Sequence, residues 1–169
     1  EALSERLQLF PESFLVAEAD GELVGFVNGA VIDEPIIRDA HYHDAALHNP
    51  NGAYQSVFGL DVDPVFRRQG IAGKLLTALI DAARQAGRKG LTLCCKEEKI
   101  TYYEKFGMVN SGKSSSTHGN AVWYDMIVHF EEERIKQMDP KIILASQSPR
   151  RSELLSLCVK DFAVQVADI

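Results

Sequence analysis

The chain has 169 residues, 46% of them hydrophobic, and a formal net charge of −6. That length carries one globular domain with a core of its own and room for a small appendage. An acidic surface argues against a nucleic-acid partner, since phosphate contacts need a basic face, and no apolar run reaches membrane-spanning length. The three cysteines are Cys94, Cys95 and Cys158. Their odd number suggests reduced thiols and a cytoplasmic setting. No metal-ligand spacing is present. There is no signal-peptide pattern, and the opening Glu1-Ala2-Leu3 reads as the middle of a helix, so an interior piece of a longer protein is expected.

In chain order, residues 1–9 read as the end of a helix. Phe14 to Ala19 and Glu22 to Ile32 read as strands, joined by Asp20-Gly21, whose residues tolerate the positive φ of a tight hairpin turn. Residues 33–50 form a polar, irregular connection containing His41, His43 and His48. Ala53 to Val62 reads as a third strand. From Gln69 to Ala86, Ile71, Leu75, Leu76, Leu79, Ile80 and Ala83 recur at helical spacing, the buried face of an amphipathic helix. Leu91 to Cys95 is a short buried strand. A second short helix spans Glu98 to Phe106, with Gly107 as its stop. Met108 to Ser111 and Ala121 to Phe130 read as a final strand pair. The Ser- and Gly-rich stretch between them, residues 112–120, is expected to be mobile. A charged helix over Glu131 to Met138 ends at Asp139-Pro140. The pattern then restarts: strand Ile142 to Ala145, helix Pro149 to Leu157, strand Phe162 to Val166.

Residues 61–76 read DVDPVFRRQGIAGKLL. A strand ends, a proline turn follows, and Arg67-Arg68-Gln69-Gly70-Ile71-Ala72-Gly73 runs into the amphipathic helix. A helix N-terminus offers unpaired N–H groups and a partial positive charge, which suits phosphate. Small residues let an anion approach the backbone. Arg67, Arg68 and Lys74 add charge. On physics alone this is an anion site at a strand–loop–helix junction, or an ordinary loop with solvated arginines. The pattern Arg67-x-x-Gly70-x-Ala72 resembles the pyrophosphate loop of the GNAT N-acetyltransferases, between the corresponding strand and helix. The resemblance implies an α/β fold: a mixed, mostly antiparallel sheet with splayed central strands and helices on both faces. It also implies acetyl-CoA as acetyl donor, its pyrophosphate on residues 67–74 and its pantetheine arm along Leu60, Asp61 and Val62.

The stretch Tyr102-Tyr103-Glu104-Lys105-Phe106-Gly107-Met108 resembles that family's Tyr-x-x-Phe-Gly segment. Its tyrosine faces the acetyl-CoA sulfur, where a thiolate of pKa ~8.5 leaves and profits from a proton donor. Tyr103, three residues before Phe106, takes that place. Tyr102, about 100° further around a helix, is expected to face elsewhere. Read without the resemblance, Tyr103 is a core aromatic with its hydroxyl at the rim.

Over residues 10–130 the chain looks most like the arylalkylamine N-acetyltransferases. The likeness lies in Leu47-His48-Asn49-Pro50-Asn51-Gly52, Leu60-Asp61-Val62, Phe66-Arg67-Arg68-Gln69-Gly70, Cys95 and Trp123-Tyr124-Asp125-Met126. It implies a small primary amine as acceptor, with Phe58 and Trp123 at its pocket; Trp123 also reads as plain core packing. The animal enzymes of that group place two histidines on the third strand, linked to deprotonation of the amine. Here those positions hold Ser56 and Phe58, which are not bases. Water chains, or His41, His43, Asp33 or Glu34, are the alternatives. A homodimer is left open.

Residues 141–157, KIILASQSPRRSELLSL, resemble the start of the Maf nucleotide pyrophosphatases. Ser146, Ser148, Arg150 and Arg151 match the turn that grips a triphosphate there. The expected organisation is an acetyltransferase domain over residues 1–130, a helical linker over 131–140 and an incomplete Maf-like domain over 141–169. The alternative function is an acyl-CoA-binding accessory module of a Maf-type pyrophosphatase fusion.

Overall fold

Asp20 and Gly21 take left-handed angles, φ 51° and 82°. They close a hairpin between strand β1 (Phe14–Ala19) and strand β2 (Glu22–Asn28), paired antiparallel from Phe14↔Asn28 to Ala19↔Glu22. The computed structural model describes residues 2–130. The chain divides into two units, Glu1–Glu132 and Glu133–Ile169. Every described residue belongs to the first. The charged helix expected at 131–138 and the strand–helix–strand of 141–169 lie outside the described residues.

Helix α1 (Ala2–Leu9) precedes the hairpin. Beyond it lie β3 (Val31–Ile32), α2 (Asp39–His43), β4 (Tyr54–Val57) and β5 (Gly59–Val62). Then come α3 (Ile71–Gln85), β6 (Gly90–Cys95), α4 (Ile100–Glu104), β7 (Val109–Lys113) and β8 (Tyr124–His129). The strands form a three-stranded sheet, β1-β2-β5, and a five-stranded sheet, β3-β4-β6-β8-β7. Only the β4–β6 pairing is parallel, from Tyr54↔Gly90 to Val57↔Leu93.

Two long strands expected from the apolar pattern are therefore each broken. The 22–32 segment splits at Gly29-Ala30, where the chain crosses Ser56. A Cβ on Gly29 would lie 1.7 Å from the Ser56 carbonyl oxygen. The Ser56 hydroxyl accepts from Ala30 N at 2.9 Å and donates to Ala30 O at 2.8 Å. The 53–62 segment splits at Phe58. β4 stays beside β6, while β5 crosses to pair with β2 from Gly25↔Val62 to Asn28↔Gly59. The strands expected to be splayed neighbours thus part after Val57. A continuous apolar run cannot report this break, because both halves bury side chains.

α3 packs across β1, β2, β5 and β6. Its buried Leu75, Leu76, Leu79, Ile80 and Ala83 meet Val27, Leu91, Leu93 and Met126 from both sheets. Phe10, Ala30, Ile32 and Ile37 form a second cluster. It draws on Cys94, whose side chain alternates with those of Leu93 and Cys95, so it lies on the opposite face. Helices cover both faces, as expected. The 112–120 stretch, expected to be mobile, is tied down instead. Asp39 of α2 accepts hydrogen bonds from the Ser116 hydroxyl, the Thr117 amide at 3.2 Å and the Thr117 hydroxyl at 3.3 Å. The Trp123 indole donates to the His118 carbonyl at 2.8 Å. Among the described residues no helix is long and apolar enough to cross a membrane.

Candidate active site

The site is built where β5 runs into α3. Asp63 accepts from Val65 N at 2.9 Å and starts the Pro64–Phe66 turn. Arg68 takes a left-handed φ of 62°, uncommon for a residue with a Cβ. Gly70, at φ 78° and ψ 7°, caps the helix. The first helical bond runs from Lys74 N to Gly70 O at 3.0 Å. The amides of Ile71, Ala72 and Gly73 precede it and have no partner within the helix. These residues line a cavity of about 490 Å³. A Cβ on Gly73 would come within 3.3 Å of Phe106 Cζ and 3.8 Å of the Tyr102 hydroxyl, so the helix and α4 approach closely only because residue 73 is small.

Of the residues expected to hold the donor, Leu60, Asp61, Val62, Arg67, Arg68, Gly70, Ile71, Ala72 and Gly73 line this cavity. Gln69 and Lys74 are not among its lining residues. The Lys74 amide is already spent on the first helical bond. Arg67 is not a free cation: its Nε donates to Val62 O at 2.8 Å and its Nη2 meets Asp61 Oδ1 at 3.3 Å. It pins the loop to the end of β5. Arg68 has no ion pair among the described residues.

β5 offers an open edge to the cavity. Asp63 N bonds Val24 O at 2.8 Å, and the β2–β5 register makes Asp61 and Gly59 the residues bonded to β2. Leu60 and Val62 fall in the alternate positions, with their backbone groups facing away from β2 toward the gap. Val62 N is taken by Asp61 Oδ1 at 2.9 Å, and Val62 O by Arg67. The Leu60 amide remains as the donor at this edge.

Tyr103 lines the same cavity and packs against the main core. Burial, then the nearby Cys95 and Tyr102, pushes its pKa up to about 12. Tyr102, expected to face elsewhere, also lines the cavity, its ring 5.2 Å from that of Tyr103 and nearly perpendicular to it. On a helix of five residues two long rings about 100° apart still reach one wide cavity. Phe66 and Lys99 also line it and were not singled out from sequence. Lys99 belongs to a single turn before α4, and only the fold brings that turn to the cavity that Arg68 also lines.

Phe58 and Trp123 do not line the cavity. Phe58 belongs to the cluster on the other face, 4.9 Å from the Tyr42 ring. Trp123 connects to it through His118, at 6.5 Å from Trp123 and 6.2 Å from Tyr42. Ser56 is fully buried, with its hydroxyl committed to Ala30. Asp33 accepts from Asn49, Glu34 pairs with Arg38, and His41 Nδ1 accepts from Arg38 N. Neither these nor His43 lines the cavity.

The start of α3, the open edge of β5 and the rings of Tyr102 and Tyr103 thus line one cavity, beside the point where the parallel strands β4 and β6 part. The chain belongs to the acetyltransferase (GNAT) family, whose model matches residues 1–108. No curated protein matches it. Among solved structures it is similar to Ard1 from Thermoplasma volcanium, at 21% identity and TM-score 0.59, covering 77% of this chain and 78% of that one. It is also similar to the GphF GNAT-like decarboxylase in complex with isobutyryl-CoA, at 20% identity and TM-score 0.61, covering 75% and 83%. A third is a protein from Bacillus anthracis in complex with acetyl coenzyme A, at 18% identity and TM-score 0.51, covering 70% and 63%. At these identities the likeness is one of fold.

Proposed function

We propose that this chain is an acetyl-CoA-dependent N-acetyltransferase acting on a small primary amine of the arylalkylamine type, by direct transfer with Tyr103 as general acid. One observation carries the reading. The free amides at the start of α3, the open edge at Leu60 and the Tyr103 ring all belong to a single cavity. The residues fit the donor: amides and Arg68 and Lys99 suit its pyrophosphate, and the Leu60 carbonyl on the β5 edge suits an amide N–H of its arm. When bound, acetyl-CoA supplies an activated acetyl group as a thioester.

The rest is done by the chain. The Leu60 amide donates to the thioester carbonyl oxygen as negative charge grows there, a single oxyanion contact. Tyr103 stays protonated across the neutral range, the form a donor needs. Its proton is held more tightly than a thiol's, at ~8.5, so its main service is a strong hydrogen bond to the departing sulfur. The incoming amine must be neutral. Ser56 and Phe58 cannot take its proton, which passes to water. The tail, residues 141–169, we read as the start of a Maf-like domain, reached through a linker over 131–140.

The test is acetyl-CoA turnover against a panel of arylalkylamines, polyamines and peptide N-termini. Tyr103→Phe is expected to lower kcat about 10²-fold with acetyl-CoA affinity nearly unchanged. The rate should rise with pH as the free amine accumulates, with no histidine-like inflection from β4. Full activity of Tyr103→Phe alongside a dead Tyr102→Phe would move the acid to Tyr102.

A further inference from the structure

On the face of the sheet opposite α3, Arg6 of α1 is only 7% exposed. Its guanidinium lies over the Phe58 ring, 4.7 Å from the centroid, and Nη2 donates to the Tyr42 carbonyl at 2.5 Å. A guanidinium carries five N–H donors in a planar fork suited to a carboxylate. Among the described residues no carboxylate lies within ion-pair distance of Arg6, and the Tyr42 carbonyl is the one hydrogen-bond acceptor it meets. Desolvation pulls its pKa below the ordinary arginine value. Glu5 acts on it only from beyond ion-pair distance. A buried cation with no ion-pair partner is costly, and folds keep one when a ligand completes it or a specific arrangement needs it.

The position favours a ligand. Phe58, beneath the guanidinium, is the residue at which β4 gives way to β5 and the strands part. Gly59 and Leu60, which lead to the cavity, follow directly. Asn28, paired with Gly59 in the register, is fully buried with both side-chain amide atoms unbonded. Rings flank the same place: Phe58, Tyr42, His118 and Trp123 succeed one another at 4.9, 6.2 and 6.5 Å. An unpaired guanidinium beside an aromatic wall, at the break where the strands open, is complementary to an aryl group and a carboxylate on one small molecule.

We propose that Arg6 binds a carboxylate on the acceptor, so that within the arylalkylamine class the preferred acceptor is one that also carries a carboxylate, an aromatic amino acid. This rests on the N-acetyltransferase reading and narrows its substrate class. The amine itself is left free to approach the thioester, while ring and carboxylate set its orientation.

The experiment uses the full chain and three matched probes: phenylalanine, its methyl ester and phenethylamine. Turnover with acetyl-CoA and the ligand-induced rise in Tm are both read. Expected for the unmodified protein is a preference of at least about tenfold in kcat/KM for phenylalanine over the ester and the amine, the scale of a charge-assisted bidentate pair. Arg6→Gln should erase that preference through KM, leaving phenethylamine turnover and acetyl-CoA affinity within about threefold of the unmodified protein. Arg6→Lys should keep part of it, since charge remains and the fork does not. The proposal is overturned if ester and amine serve as well as the acid. It is equally overturned if Arg6→Gln depresses all three alike, the mark of a purely structural arginine. Should Arg6→Gln not fold, the acid–ester comparison on the unmodified protein decides. Carboxylate-dependent binding without turnover would uphold the Arg6 site and sink the transferase reading instead.

Discussion

Gly70 separates two things that a glycine can do at a helix start, and substituting it tells them apart. Its φ of 78° and ψ of 7° lie in the left-handed region. An L-residue placed there costs about 1–2 kcal/mol. No clash with the protein adds to this, because a Cβ at residue 70 meets no atom within 4 Å. For a unit of this size Gly70→Ala should therefore lower Tm by roughly 3–10 °C. Asparagine visits the left-handed region more readily, so Gly70→Asn should recover most of that loss. Acetyl-CoA binding should respond differently. Gly70 lines the cavity beside the free amides of Ile71, Ala72 and Gly73, and any side chain there stands where an anion must approach the backbone. Both variants should lose more than tenfold in affinity, about 1.4 kcal/mol or more, although the alanine variant loses much more stability than the asparagine one. Thermal unfolding read beside calorimetric titration with acetyl-CoA makes the comparison. A Gly70→Asn protein with an unchanged Tm and an unchanged affinity would refute the cradle.

Three further outcomes follow from the geometry. Tyr102→Phe should raise KM for acetyl-CoA severalfold with kcat nearly kept, because the Tyr102 hydroxyl borders the helix start at Gly73 rather than packing on the core as Tyr103 does; a kcat collapse in steady-state kinetics would contradict this. Asp39 holds residues 116–117, and its pKa lies below the ordinary 3.8, chiefly through the Ser116 hydroxyl and then the Thr117 amide. That tie is present above pH 3.8 and is lost as pH falls through the lowered folded value, so Trp123 emission should stay constant down to pH 3.8 and shift only below it, while Asp39→Asn shifts it at neutral pH. Ser56→Ala strips the buried Ala30 amide of its partner and should cost about 1–3 kcal/mol in urea unfolding while sparing acetyl-CoA affinity.

Features that depend on neighbours in the chain were legible before any coordinates. The Asp20-Gly21 turn, the buried face of α3 and the anion loop from Arg67 to Gly73 each rest on a few consecutive residues whose φ preferences, side-chain size and spacing act locally. Tyr103 was singled out only by its resemblance to the family segment; its own residues read as a core aromatic, and the fold places it both on the cavity wall and against the core. What could not be read is what two distant segments do to each other. The break at Phe58 depends on whether β6 or β2 is the better partner for the next four residues. Apolar patterning is the same on both sides of that choice. The seating of Tyr102 in the same cavity depends on how α4 lies against the start of α3, which the Gly73–Phe106 approach settles. The Asp39 tie to Ser116 and Thr117 joins residues more than seventy positions apart. Arg6 carries no signal in an exposed-looking helix segment until α1 is folded onto Phe58 and Tyr42. The sequence by itself determined the local conformation, a tight turn, an amphipathic helix and a glycine-bearing start to it with free amides. Only the tertiary structure decided which strand edge stands open beside them and which charge is left buried without a partner, because pairing and desolvation are properties of the surroundings and not of the residue.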